Sequence, residues 1–255
     1  QIFAREIREK LADDDRLLVI GGDGTLSNVL QVTSDVTIGY IPAGTGNDFA
    51  RGINLSADPL EALARFEVSN GTTLHIIRYR INQQEKLALN NVGIGLDAEI
   101  VATNNQSKSK KQLNRLHLGK FSYILTLFKL LFQKNAFPVK ISTDDYTMKV
   151  ENAFLLTVTN HPFFGGGIPI WPDASVHSDK IDVILIKRYS IIKLLYLLVL
   201  IVTKKQMSHP DIVHLKTSYL LIKLLHPEYL QADGEHAPPK NYELEFQTTK
   251  HQFWV

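Results

Sequence analysis

Val19-Ile-Gly-Gly-Asp-Gly-Thr25 joins an apolar run to a polar segment through a glycine turn. The run, Arg16-Leu-Leu-Val-Ile20, lies between a charged cluster and Gly21-Gly22, and its unbroken apolarity fits a strand buried on both faces. A helix is predicted from Thr25 or Leu26 to about Thr33, which includes Ser27. Strand, glycine turn and helix in that order suit a phosphate: the glycines allow close backbone approach, and the helix start offers unpaired N–H donors. Asp23 inside the turn would repel phosphate unless a divalent cation or a base lies between them. It therefore points to a metal–nucleotide complex or to a structural role. The Thr25 hydroxyl adds a donor. A tight turn in which Asp23 merely caps the following helix accounts for the same residues equally well.

A second unit follows at once. Thr37-Ile-Gly-Tyr-Ile41 is strand-like, Pro42-Ala-Gly-Thr-Gly46 is a turn, and Asn47 or Asp48 can cap a short helix through Phe49 and Arg51. Residues 59–66 read as another helix. This alternation predicts a parallel, helix-covered sheet whose two polar glycine turns, Gly21 to Thr25 and Gly44 to Asp48, open at one carboxyl edge, where ligands bind. After Gly71 the pattern becomes β-like, over residues 74–81 and 85–94. A helical pair is read between residues 98 and 133, with a polar, Lys-rich loop at 104–111. Strand-like segments resume at 139–142, 148–159, 181–187, 214–225, 229–232 and 242–247. The expected organisation is α/β plus β: an α/β domain over residues 1–73 and a mainly β domain over 74–255, whose last few residues can return to the first.

The 255 residues are 44% apolar, enough for two cores, and 28 Lys and Arg against 26 Asp and Glu leave a formal charge of +2. So small a charge argues against a nucleic-acid partner. The absence of cysteine excludes disulfides and thiolate metal sites and fits a reducing compartment, with cytoplasm as the default. Residues 1–11 read as an amphipathic helix beginning at Gln1, so the chain is expected to start inside a longer one, with no secretory signal in view. Residues 194–202 are uninterruptedly apolar, yet shorter than the ~20 residues a spanning helix needs. A buried helix and an interfacial helix both remain open for them.

The glycine turns do not stand alone. Val19-Ile-Gly-Gly-Asp-Gly-Thr25, Ile41-Pro-Ala-Gly-Thr-Gly-Asn-Asp-Phe-Ala-Arg51, Asn90-Asn-Val-Gly-Ile-Gly-Leu-Asp-Ala98, Phe164-Gly-Gly-Gly167 and Gln231-Ala-Asp-Gly-Glu235 resemble, in order and spacing, the bacterial diacylglycerol kinase family, which includes the sphingosine and ceramide kinases. The resemblance implies an N-terminal doubly wound nucleotide-binding domain, a C-terminal β-sandwich-like domain and an active site in the cleft between them. It also implies ATP as donor, Mg²⁺, and a lipid hydroxyl as acceptor at the inner face of a membrane, reached by peripheral docking through residues 108–120 or 194–205. A homodimer stays open. Gly21, Gly22, Asp23, Gly24, Thr25, Leu26, Ser27, Gly44, Thr45, Asn47 and Asp48 fall at the nucleotide positions. Glu235 matches the general base, with Asp233 orienting it or a metal.

The sequence departs from the family pattern in three places. The positions matching a metal-binding Asp-Gly turn after Trp171-Pro-Asp-Ala174 are Ser175, Ser178, Asp179 and Lys180, without the glycine. An Asp expected to share a hydrated metal with Asp23 and Asp48 is replaced by His75-Ile-Ile-Arg-Tyr79, where Arg78 is a candidate to neutralise those carboxylates instead. The family's opening strand and Asn-Pro turn are not in the sequence. NAD kinases share the Gly-Gly-Asp-Gly turn, so a soluble-nucleotide kinase is a second reading, and a nucleotide-binding regulatory protein without turnover is a third.

Overall fold

The structure is a computed structural model describing residues 6, 9–12, 15–33, 35–106 and 119–255. Most of the expected N-terminal helix and of the Lys-rich loop lies outside the described residues. Strand β1 (Leu17–Gly21) pairs in parallel with β2 (Ile38–Pro42), and α1 (Asp23–Leu30) connects them. Two further helices follow, α2 (Asp48–Gly52) and α3 (Pro59–Val68). Helix α3 starts where Asp58 accepts the amides of Leu60 and Glu61 and Pro59 occupies the first turn, where its missing N–H costs nothing. Leu26, Leu30, Ile38, Tyr40 and Phe49 fill the core of this part.

The β region begins with β3 (Thr72–Ile81), β4 (Gln84–Ala88) and β5 (Asn91–Gly95). Helices α4 (Leu96–Gln106) and α5 (Gly119–Gln133) come next, and then β6 (Phe137–Thr143), β7 (Thr147–Thr159) and the short pair β8 (Phe163–Phe164) and β9 (Ile168–Pro169). Strand β10 (Ile181–Lys187), helix α6 (Ile191–Val202) and strands β11 (Ile212–Thr217), β12 (Leu220–Leu224), β13 (Glu228–Ala232), β14 (Glu235–Lys240) and β15 (Glu243–Trp254) complete the chain. The sheet runs β1-β2-β15-β12-β6-β7-β5-β13-β14. Its β15 turns back along β3, and Phe253 and Trp254 then pair in parallel with β2.

Strand β10 shows why so continuous an apolar run is needed. Ile181, Val183 and Leu185 point into the sandwich core with Val158 and Phe246, whereas Ile184 and Ile186 point the other way, under α6, with Leu197 and Ile201. A period of two therefore divides one run between two cores. Residues 85–94, expected as one strand, are broken at Leu89 and Asn90, whose amides leave the ladder for the Asp233 carboxylate. Residues 214–225, also expected as one strand, turn at Ser218, where Asp144 accepts from Ser218 and from the Tyr219 amide. The α/β plus β-sandwich architecture is as expected. Among the described residues no helix is long and apolar enough to cross a membrane.

Candidate active site

The two glycine turns lock into each other. A Cβ on Gly44 would stand 2.5 Å from the Gly22 Cα, a collision with backbone, and one on Gly22 would stand 3.1 Å from the Gly44 Cα, a tight contact. Asn47, at φ +50°, closes its own loop by accepting the Gly44 amide and returning an N–H to the Gly44 carbonyl. Asp23 caps α2 instead of its own helix: its carboxylate accepts the amides of Asp48 at 2.8 Å and Phe49 at 3.2 Å. Asn47 occupies the N-cap position of α2, as expected of Asn47 or Asp48, but its side chain makes no capping bond. The first motif supplies the cap of the second. Burial pushes the Asp23 carboxyl up from its ordinary value, against those two amides, which favour its charged form.

Asp48 faces the β region. One carboxylate oxygen accepts from Arg51 at 2.7 Å, the other from the Gly166 amide at 2.7 Å, and its carbonyl takes the His161 Nε2–H at 2.6 Å. Because His161 Nδ1 accepts the Phe163 amide, the ring is neutral with its proton on Nε2, and burial holds its pKa below the ordinary value. The Gly165 to Gly167 loop thus clamps the second motif. Arg51, which also lies 5.5 Å from the Phe163 ring centroid, supplies the positive charge beside Asp48. Arg78 does not: it donates to Gln247 at 2.7 Å and lies 3.8 Å from Glu85.

These contacts bear on the metal expected here. Every carboxylate oxygen of Asp23 and Asp48 already has a protein donor, and no group of three or more His, Asp or Glu side chains able to hold a metal occurs among the described residues. Each of these oxygens accepts one hydrogen bond and keeps a further lone pair, but the two carboxylates alone do not make a cage for a resident Mg²⁺. The Ser175 and Ser178 hydroxyls accept the amides of His177 and Lys180, the Asp179 carbonyl accepts the Thr248 hydroxyl, and the loop is a self-capped turn docked on β15.

Asp233 is the second tie between the two parts. At φ +49° in the β13–β14 turn, its carboxylate accepts from Ser27 Oγ at 2.8 Å and from the amides of Leu89, Asn90 and Asn91 at 2.7, 2.8 and 3.3 Å. Burial raises its pKa, yet four donors to an acceptor-only group select the ionised form. Asp233 is therefore not free to hold a metal or to touch Glu235, which corrects the role expected of it. The Ser27 hydroxyl donates its proton to this latch, and Leu26 is buried in the core.

What remains open is coherent. Gly24 has nothing within 4 Å of where a Cβ would stand, and the Thr25 and Thr45 side chains are exposed. Gly24, Ser27, Tyr79, Asp233, Glu235 and His236 border one cleft of about 410 Å³. Among the described residues the Glu235 carboxylate has neither hydrogen bond nor ion pair, and it is exposed. Burial first, then the charges of Asp233 and Glu235, keep the neighbouring Tyr79 phenol protonated. The chain thus places a helix N-terminus and an unspent carboxylate on one cavity.

Residues 1–79 match the diacylglycerol kinase catalytic domain, and residues 90–248 match the YegS C-terminal NAD kinase beta sandwich-like domain. The chain belongs to the diacylglycerol kinase family. Among its relatives are "Putative lipid kinase YtlR" of Bacillus subtilis (strain 168), 26% identical over 227 residues covering 86% of this chain and 74% of that one. "Putative lipid kinase" of Staphylococcus aureus (strain Newman) is 35% identical over 175 residues, 66% of this chain and only 54% of that relative. A solved structure titled as a diacylglycerol kinase from Bacillus anthracis str. Sterne superposes with a TM-score of 0.69 at 21% identity, covering 100% of this chain and 80% of that one, a likeness of fold.

Two further polar residues of the quoted motifs meet beside this site. Asp97, in the Gly-Ile-Gly-Leu-Asp-Ala motif, is buried, and its carboxylate accepts Gln231 Nε2 at 2.8 Å. Gln231 also donates to Asn91 and accepts the Gly234 amide at 2.9 Å, so it braces the turn that carries Glu235. The motifs contained both residues, but nothing local to either indicated that they meet.

Proposed function

We propose that this chain transfers the γ-phosphoryl group of ATP to the hydroxyl of diacylglycerol or a related lipid, at the cytoplasmic face of a membrane. The observation that carries this reading is the shared cleft: the N-terminus of α1 and Glu235 border one cavity, and the Ser27–Asp233 bond fixes their separation. Phosphoryl transfer needs little beyond positioning and charge stabilisation. In this reading the open amides around Gly22 to Gly24 and the Thr25 and Thr45 hydroxyls hold the triphosphate. Its Mg²⁺ comes as part of the MgATP substrate. Glu235 takes the proton of the attacking hydroxyl as its oxygen meets the γ-phosphorus in line.

A lipid acceptor is supported by the relatives' names and by the apolar character of the helices on the β region. The competing soluble-nucleotide kinase shares the sandwich but not this acceptor. The two separate in one experiment: the protein is incubated with γ-labelled ATP, Mg²⁺ and either diacylglycerol in mixed micelles or NAD. Label in the lipid supports the proposal; label in NAD overturns it, and label in neither leaves a nucleotide-binding protein without turnover.

A further inference from the structure

Helices α5 and α6 divide their apolar side chains between two directions. Inward, Leu127, Leu131, Leu194, Leu197 and Ile201 close over a narrow apolar cavity of about 60 Å³ against β7. Outward, Ile192, Tyr196, Val199 and Val202 on α6, and Phe128 and Phe132 on α5, are exposed, Ile192 by 79% and Phe132 by 64%. Positions 192, 196 and 199 share a helix face, as do 128 and 132. Single exposed apolar residues are ordinary. Six large ones on two helices that pack together leave a face without a partner among the described residues.

Charge indicates what covers that face. Residues 100–143 and 183–210, the segments carrying these helices, contain no Asp or Glu and nearly half of the chain's 28 Lys and Arg, in a chain whose formal charge is only +2. The remainder of the sequence is therefore acidic. Lys129, Lys204 and Lys205 are exposed and have no ion pair among the described residues. A second copy of this face would bring like charges together, whereas an anionic lipid surface offers both an apolar interior and negative headgroups. We propose that the outward face of α5 and α6 docks this chain on an anionic bilayer. This deepens the lipid-kinase reading, on which it rests for its purpose, and names the surface through which the enzyme meets its substrate's membrane.

The test measures binding and turnover separately. The full chain is sedimented with sucrose-loaded phosphatidylcholine vesicles, with and without phosphatidylglycerol. The expected result is partition onto the anionic vesicles that weakens with salt. Lys204→Gln with Lys205→Gln should lower the partition by about 25-fold, roughly fivefold per lysine. Ile192→Ser with Val199→Ser should lower it on both vesicle types. Neither pair lines the cavity or the cleft, so phosphorylation of a water-soluble short-chain diacylglycerol should be unchanged in both. Lys204 and Lys205 are exposed, with no side-chain hydrogen bond or ion pair among the described residues, which keeps the test valid if the apolar pair misfolds. Unchanged partition in the lysine variant overturns the proposal. So does a dimer, seen by sedimentation velocity, that these variants dissociate while vesicle binding persists. Loss of vesicle binding in the variants, with no lipid phosphorylated by any form, would defeat the kinase reading and leave the docking surface standing.

Discussion

Asp233→Asn separates a structural latch from a chemical role. The carboxylate accepts four hydrogen bonds, two on each oxygen: Ser27 and Leu89 on one, Asn90 and Asn91 on the other. An amide presents N–H groups on one side, so it opposes two donors whichever way it is turned. The better orientation faces Ser27, whose hydroxyl can rotate to accept, and strands the Leu89 amide. One stranded buried N–H and the loss of charge assistance to the remaining bonds together cost about 3 kcal/mol. For a chain of this size that is roughly 6–12 °C in melting temperature. Because the latch joins α1 to the β region, calorimetry should also show a broader transition as the two parts uncouple. An Asp233→Asn protein that melts like wild type but has lost turnover would refute the latch and return Asp233 to the chemistry.

Other consequences are as specific. Gly44→Ala pushes a methyl group to 2.5 Å from the Gly22 Cα, which is backbone and can yield only by separating the turns; a loss of about 1–3 kcal/mol in urea unfolding is expected, with weaker ATP binding by calorimetry. Unchanged ATP affinity would detach the interlocked turns from the nucleotide. Burial raises the Asp97 carboxyl to about 6, so the fold favours its protonated form. The sign follows: the group costs nothing below its unfolded pKa near 4, its penalty grows as pH rises to about 6, and above that it holds at about 3 kcal/mol. Asp97→Asn should therefore gain on wild type between acid and neutral pH, and parallel pH–stability curves would contradict the burial argument.

Much of this was legible in the sequence. The strand–glycine–helix units could be read because parallel strands are continuous apolar runs that end at glycine, but only β2 is buried throughout: β1 lies at the end of the strand order and leaves Ile20 63% exposed, so the expected burial on both faces is corrected there. The same rule found β10, although not that its residues serve two cores. Strand β14 was missed because Pro238 and Pro239 argue against a strand, yet it pairs only with β13, and an edge tolerates proline. Strand β15 runs past the expected end at Gln247 because the polar Thr248-Thr-Lys250 pairs along β3, a partner no local pattern reveals. For α6 the sequence left a buried and an interfacial helix open, and the structure buries one face of it and leaves the other exposed. The site was readable as a set of motifs but not as a set of roles. Asp23 caps a helix 25 residues on, and Asp233 binds Ser27 from 206 residues away. Hydrogen bonds over such separations leave no periodicity, so both carboxylates looked like metal ligands until their donors were in view.

The central claim is that Glu235 is the carboxylate left unspent for chemistry. Turnover of Glu235→Gln on diacylglycerol, measured with saturating ATP, tests it most directly. The exposed side chain has no hydrogen-bond or ion-pair partner among the described residues, so melting temperature and ATP affinity should match wild type while kcat falls by about two to four powers of ten. A Glu235→Gln protein that phosphorylates lipid at the wild-type rate would contradict the account.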